Sequence, residues 1–122
     1  MKHSEGFLKL VNDAKTRIRE VTVAETQKRL KINSKAKLID VREDNEWAEG
    51  HARGAIHMGR GVIERDIVHQ IPDKSAEIIL YCGGGYRSAL AADNLQKMGY
   101  TNVLSMAGGW TAWKEAKAPI EG

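Results

Sequence analysis

The 122-residue chain contains one cysteine, Cys82, and the residues after it carry the clearest chemical signal in the sequence. Cys82 follows the apolar run Ile78-Ile79-Leu80-Tyr81 and precedes Gly83-Gly84-Gly85, then Tyr86-Arg87-Ser88. Three consecutive glycines leave the backbone free to curl and turn its N–H groups inward. Successive inward amides form a nest for an anion, and a helix starting just beyond adds the positive end of its dipole. Arg87 brings a fixed positive charge to the same place. Each of these features favours thiolate over thiol. A cysteine that merely filled a strand end would not need three residues without side chains behind it. Cys82 is therefore read as a nucleophile, and Gly83, Gly84, Gly85, Tyr86, Arg87 and Ser88 as its anion cradle. The glycine run is not a nucleotide-binding loop, because no Gly-Lys-Ser/Thr follows it.

No partner base is evident. His51, His57 and His69 are available, but none has a sequence-local reason to face Cys82. Cysteines that transfer acyl groups usually rely on a positioned histidine. A thiolate activated by backbone dipoles suits attack on a soft atom such as sulfur. A single cysteine excludes an intramolecular disulfide and a secreted disulfide framework, so a reducing, cytoplasmic setting is expected. Four scattered histidines and one cysteine give no metal-ligand spacing, so neither a metal nor a cofactor is expected.

The elements that must position this loop follow from hydrophobic pattern and punctuation. Residues 5–19 read as an amphipathic helix, with Phe7, Leu8, Val11, Ala14 and Ile18 on one side. Thr22-Val23-Ala24-Glu25 has the capping-box form and predicts a helix from about Val23 to Ile32. Leu38-Ile39-Asp40-Val41 reads as a buried strand. Asp44 to Gly50 reads as one or two helical turns opened by Asp44, and Ala55 to Met58 as a short strand. Arg60 to Val68 suggests a further helix, and Pro72 to Ser75 a turn. Glu77 to Tyr81 is the clearest strand and runs straight into Cys82. Ser88 to Met98 reads as a helix stopped by Gly99, and Asn102 to Met106 as a strand. Gly108-Gly109 turns the chain into a short helix at Trp110 to Lys114. Short buried strands alternating with helices predict an α/β fold with a mainly parallel sheet. Ligands of such sheets bind beyond the carboxyl ends of the strands, which is where the Cys82 loop falls.

Composition agrees with one soluble domain: 42% hydrophobic and 29% charged residues, with no apolar run near the ~20 residues of a membrane span. No membrane association is expected. The net charge of +3 is uneven, since residues 1–40 carry ten Lys or Arg against five Asp or Glu. Without interleaved aromatics that excess reads as a solvated face, so no nucleic-acid partner is expected.

Four segments resemble the rhodanese family of sulfurtransferases. Leu38-Ile39-Asp40-Val41-Arg42-Glu43 is similar to that family's strand of Ile-Asp, Val and Arg pattern. Glu46-Trp47 with Gly50-His51-Ala52-Arg53-Gly54-Ala55-Ile56 resembles its next segment. Tyr81 to Ser88 resembles its active-site loop, and Ala107-Gly108-Gly109-Trp110-Thr111-Ala112-Trp113 resembles its closing motif. The match spans about residues 21–118, so residues 21–122 are taken as a rhodanese-like domain and 1–20 as an N-terminal helical extension. The resemblance implies a five-stranded, mainly parallel sheet with helices on both faces. It implies that Cys82 takes sulfane sulfur from a donor, thiosulfate or a persulfide on a small molecule or protein. Cys82 would hold it as a persulfide, stabilised by amides from Gly83 to Ser88, and yield it to a thiophilic acceptor such as cyanide or a thiol. Two other readings stand beside this one: a non-catalytic relay module fed by a partner protein, and a phosphatase or arsenate reductase of related fold. The latter enzymes carry a longer Cys-x5-Arg loop suited to a tetrahedral oxyanion, whereas Cys82 to Arg87 is Cys-x4-Arg. Positions 83–85 lack the basic side chains of thiosulfate-specialised members, leaving Arg87 as the loop's only cation.

Supporting roles are expected for Asp40, as a hydrogen-bond acceptor for the loop or a neighbouring strand end, and for Arg42, paired with Glu46 or Glu49. Arg60 is a candidate for the site mouth. Trp47, Trp110 and Trp113 are expected to pack in the core, and Tyr86 to shape or cover the entrance.

Overall fold

The structure, a computed structural model, describes residues 3–122. Helix α1 (Glu5–Lys15) leads to strand β1 (Arg19–Val21), α2 (Val23–Ile32) and β2 (Lys37–Asp40). Then come α3 (Asp44–Ala48), the two-residue strands β3 (His51–Ala52) and β4 (Ile56–His57), and α4 (Ile63–Gln70). The second half holds β5 (Ile78–Tyr81), α5 (Tyr86–Lys97), β6 (Val103–Met106), α6 (Gly109–Glu115) and β7 (Ile120–Glu121).

Five strands form one sheet in the order β1-β6-β5-β2-β4, and every pairing in it is parallel. β5 lies at the centre and is buried along its whole length, which is why it reads as an unbroken apolar run. Alternation along β5 divides the interior into two cores. Ile78 and Leu80 join Ile63 and Ile67 of α4 and Ala91, Ala92 and Leu95 of α5 on one face. Ile79 and Tyr81 join Val23 of α2 and Trp113 of α6 on the other. Helices therefore cover both faces, as expected, and α1 packs outside α5 as an outer layer.

The local signals for α2 hold. Thr22 Oγ1 accepts from the Glu25 amide and Glu25 returns the bond to the Thr22 amide. Three details differ from the expected pattern. The first helix ends at Lys15, because Arg19–Val21 pairs with β6 as the sheet's edge strand, a long-range pairing that overrides the helical periodicity. That strand crosses the boundary drawn at residue 20. Glu43, not Asp44, caps α3, and α4 is displaced to Ile63–Gln70, with Val62 at its N-cap position making no side-chain cap bond and the Gly59 carbonyl accepting from the Val62 and Ile63 amides. The short antiparallel pair β3–β7 had no sequence signal, since each strand has only two residues. No helix among the described residues is long and apolar enough to cross a membrane.

Candidate active site

Cys82 stands where β5 ends, and α5 begins four residues later, at Tyr86 rather than at Ser88. The loop proper is thus only Gly83 to Gly85, and Arg87 and Ser88 belong to the first turn of the helix. The early start brings the positive end of a twelve-residue helix directly over the sulfur. The Gly85 amide donates to Cys82 Sγ at 3.1 Å, and Ser88 Oγ stands 3.5 Å from the same sulfur. Ser88 Oγ is itself 2.9 Å from Ser105 Oγ on β6, so a buried pair of hydroxyls backs the thiol.

Each glycine has its own reason. Gly85 has φ +98° as N-cap of α5, a conformation that only glycine adopts freely, and a Cβ there would press on the Gly108 amide. A Cβ on Gly83 would lie 3.1 Å from an Arg87 guanidinium nitrogen, and one on Gly84 would touch the Tyr86 ring. The missing side chains therefore make room for Arg87 and Tyr86 to fold back over the loop. A second glycine pair holds the loop from below. The amides of Trp110 and Thr111, at the start of α6, donate to the carbonyls of Cys82 (2.7 Å) and Gly83 (3.1 Å). Those bonds fix the direction of the Cys82 and Gly83 carbonyls.

Cys82 is buried, yet it forms part of the wall of a cleft of about 620 Å³. His3, Ser4, Phe7, Glu46, Gly84, Tyr86 and Arg87 complete the lining. Arg87 is not free: its guanidinium donates to both Glu46 carboxylate oxygens, at 2.8 and 3.2 Å. Arg87 holds the Glu46 carboxyl below the usual glutamate range. Glu46, in turn, raises the pKa of Arg87, and the Cys82 sulfur adds to that. Because the Glu46 shift is downward, its stabilising contribution is complete above the ordinary glutamate value of 4.5 and is lost as pH falls below it. Urea unfolding of wild type and Glu46→Gln is expected to differ at pH 7, by about 1 kcal/mol for a half-screened pair, and to converge toward pH 3. An offset that persisted at low pH would rule out the ion pair as its source.

Asp40 and Arg42 do not line the cleft. Asp40, at the end of β2, accepts from the Arg42 amide and side chain and from Tyr81 Oη at 2.6 Å. This is the neighbouring-strand contact expected of it. Arg42 pairs with Asp40 and with the Gly50 carbonyl, and not with Glu46 or Glu49 as the sequence suggested. Glu46 points to Arg87 instead, across 41 positions of sequence. Arg60 faces Glu64 at 3.7 Å and is not among the residues that line the cleft. Trp113 is core, but Trp47 stacks on His51 and His57, and Trp110 lies against Arg42. Those histidines are thereby occupied: His57 Nε2 bonds the Arg42 carbonyl and His51 Nδ1 the Trp47 carbonyl. The histidine that does reach the cleft is His3, from the segment before α1. His3, Ser4, Phe7 and Ser105 had no signal in the sequence, because nothing local ties them to Cys82. Among the described residues, no three His, Cys, Asp or Glu side chains converge where a metal could sit.

A cysteine sulfur bonded by a backbone amide at the carboxyl edge of a five-stranded parallel sheet, with helices on both faces, has the architecture of the rhodanese class of α/β protein. The rhodanese-like domain model matches residues 22–116, and the chain belongs to that family. It is 32% identical over 102 residues to the "putative sulfurtransferase" YtwF of Bacillus subtilis, covering 84% of this chain and 96% of the relative. It is 34% identical over 84 residues to the thiosulfate sulfurtransferase GlpE of Haemophilus influenzae, covering 69% of this chain and 78% of GlpE. Relatives so named support sulfurtransferase activity at the level of the family. A solved structure similar along the chain, TM-score 0.84 at 28% identity, covers 99% of this chain and 98% of its own. It is RPA3614 of Rhodopseudomonas palustris, a protein of unknown function described as a possible tyrosine phosphatase.

Proposed function

We propose that this protein transfers sulfane sulfur through a persulfide on Cys82, taking it from a small sulfane-sulfur donor or a persulfidated protein and passing it to a thiol. The observation that carries this reading is the Cys82 sulfur itself, bonded by the Gly85 amide at the start of α5 and lining an open cleft. With thiosulfate as donor, the Cys82 thiolate attacks the sulfane sulfur and a new S–S bond forms. The old S–S bond breaks and sulfite leaves with its electron pair. The persulfide then occupies the amide cradle, where charge-assisted bonds contribute roughly 1.5–3 kcal/mol each. In the second half, the acceptor thiolate attacks the terminal sulfur and Cys82 is released as thiolate. The acceptor has to come from outside, since the chain has no second cysteine.

The short loop weighs against the phosphatase description given to RPA3614. Three residues between Cys82 and α5 leave a cradle closed by Arg87 and Tyr86, with Arg87 committed to Glu46. The test is intact mass after treatment with thiosulfate or an organic thiosulfonate, for wild type and Cys82→Ser. Wild type is expected to gain one sulfur atom, removable by cyanide as thiocyanate, and Cys82→Ser none. Absence of sulfur uptake from every donor, with hydrolysis of an aryl phosphate, would replace this reading by the phosphatase one.

A further inference from the structure

The N-terminal helix lies outside the residues matched to the family, 22–116, yet its first turn forms part of the Cys82 cleft. Ser4 caps α1 by accepting from the Phe7 amide, which fixes the direction in which the turn presents its side chains. His3 and Phe7 both pack against Tyr86 in tilted pairs, with ring centroids 4.6 and 6.2 Å away. Lys15 stands 5.5 Å over the same Tyr86 ring. The helix is held in place from its other end. Val11 and Ala14 are buried, Arg17 makes a two-pronged bond to Asp93 of α5 at 2.9 and 2.8 Å, and Gln96 bonds the Arg17 carbonyl. Position and anchoring make the first turn a fixed wall of the cleft.

The two sides of the cleft differ in character. One is aromatic: His3, Phe7 and Tyr86. The other is the Arg87–Glu46 pair, in which the only cation of the loop is already neutralised by a carboxylate. Among the described residues that line the cleft, a dianion such as thiosulfate meets no unpaired positive side chain, and meets a carboxylate instead. A volume of about 620 Å³ is within the ~300–1,000 Å³ range of pockets that take a drug-sized organic molecule. Thiosulfate has no carbon to set against the aromatic wall.

We propose that the first turn of α1, with Tyr86, selects organic sulfane-sulfur donors: molecules whose transferable sulfur is attached to an apolar body and which carry at most one negative charge at that end. This rests on the sulfur-transfer reading of Cys82 and names its substrate class. For an organic persulfide, the Cys82 thiolate attacks the outer sulfur of R–S–SH and the inner S–S bond breaks. R–S⁻ leaves, and the outer sulfur keeps its proton as Cys82–S–SH. For a thiosulfonate, the same attack on R–SO₂–S⁻ releases the sulfinate R–SO₂⁻ and leaves Cys82–S–S⁻. No oxidant or reductant is required in either case. Phe7 and Tyr86 act as specificity-determining residues, touching the donor's body and not the sulfur being moved.

The experiment measures kcat/KM for loading of Cys82 by three donors, thiosulfate, methanethiosulfonate and benzenethiosulfonate, with intact mass as the readout. The latter two carry the same charge and differ in the apolar body. Benzenethiosulfonate is expected to exceed methanethiosulfonate by about tenfold or more, the discrimination that a small apolar contact can supply. Phe7→Ala and Tyr86→Ala are each expected to remove most of that ratio while methanethiosulfonate still loads. Leu10→Ala, an exposed position on α1 outside the cleft, is expected to keep it. Because Tyr86 is on α5, its variant tests the wall even if Phe7→Ala loosens α1. Equal loading by the two thiosulfonates, or a ratio untouched by both wall variants, would overturn the donor class while leaving sulfur transfer standing. Failure of all three donors to load wild type would overturn this proposal and restrict the sulfur-transfer reading to a persulfidated protein as donor.

Discussion

Gly109→Ala is expected to reduce sulfur loading of Cys82 by about a hundredfold or more, although Gly109 touches no substrate. Gly109 has φ +49°, and a Cβ there would run into the Cys82 carbonyl oxygen and lie 2.9 Å from the carbonyl carbons of both Cys82 and Gly83. These are backbone atoms of the Cys82 loop itself, with no flexible end to swing aside. Either α6 retreats or the loop moves. In both cases the bonds from Trp110 to the Cys82 carbonyl and from Thr111 to the Gly83 carbonyl are lost or stretched. Two such bonds at about 1 kcal/mol each, plus the left-handed backbone strain of about 1–2 kcal/mol, give a destabilisation of roughly 3 kcal/mol. The functional loss is expected to be larger, because displacing a reacting group by about 1 Å can cost a hundredfold in rate. Gly99→Ala provides the comparison. Gly99 has φ +100° but open space around its Cβ position, so it should show strain without loss of loading. The check is loading rate by intact mass together with chemical denaturation of both variants. Normal loading by folded Gly109→Ala would show that the α6 contact does not hold the loop.

Asp40→Asn is expected to destabilise the fold by about 3–5 kcal/mol, the usual cost of leaving a buried charge without its partner. Asp40 is fully buried and Arg42 is 3% exposed. The carboxylate takes bonds from the Arg42 amide, Nε and Nη2 and from Tyr81 Oη. Burial opposes the charge on Arg42, but the bonds from Asp40 outweigh it and raise its pKa. Burial, helped by Asp40, pushes Tyr81 well above the ordinary phenol value, so it stays a donor. Tyr81 Oη also accepts from the Ala52 amide, and Arg42 also bonds the Gly50 carbonyl. One carboxylate thus ties the ends of β2 and β5 to the β3 segment. An asparagine cannot neutralise Arg42 and presents one oxygen where two are used. Folded Asp40→Asn should nonetheless load sulfur, since neither Asp40 nor Arg42 lines the cleft. Urea titration read beside intact mass separates the two effects. A loss below about 1 kcal/mol would mean that Arg42 finds another partner or water.

The sequence alone was enough to mark the position of Cys82 at a strand end, its glycine loop and most of the scaffold. These signals are local. β5 is apolar throughout because it is buried on both sides, and the Gly83–Gly85 run is a backbone requirement written in adjacent residues. The capping box at Thr22 and Glu25 is satisfied within one turn. Signals of this kind persist in the one-dimensional pattern because their physical causes act over a few residues. The start of α5 was misplaced for a related reason: Tyr86 and Arg87 look like loop residues, but glycine at the N-cap lets the helix begin beneath them.

Tertiary structure alone decided the surroundings of the sulfur. Arg87 is neutralised by Glu46, Arg42 turns to Asp40, and the aromatic wall comes from residues 3–7, at the other end of the chain from α6, which holds the loop's carbonyls. Arg19–Val21 continues a helical periodicity yet pairs with β6. Each of these depends on two segments meeting across the fold. The sheet order β1-β6-β5-β2-β4 brings such segments together, and hydrophobic period, caps and turn residues carry no record of it. The local setting of Cys82 was therefore legible in its neighbours, whereas the company it keeps in the cleft was set by packing.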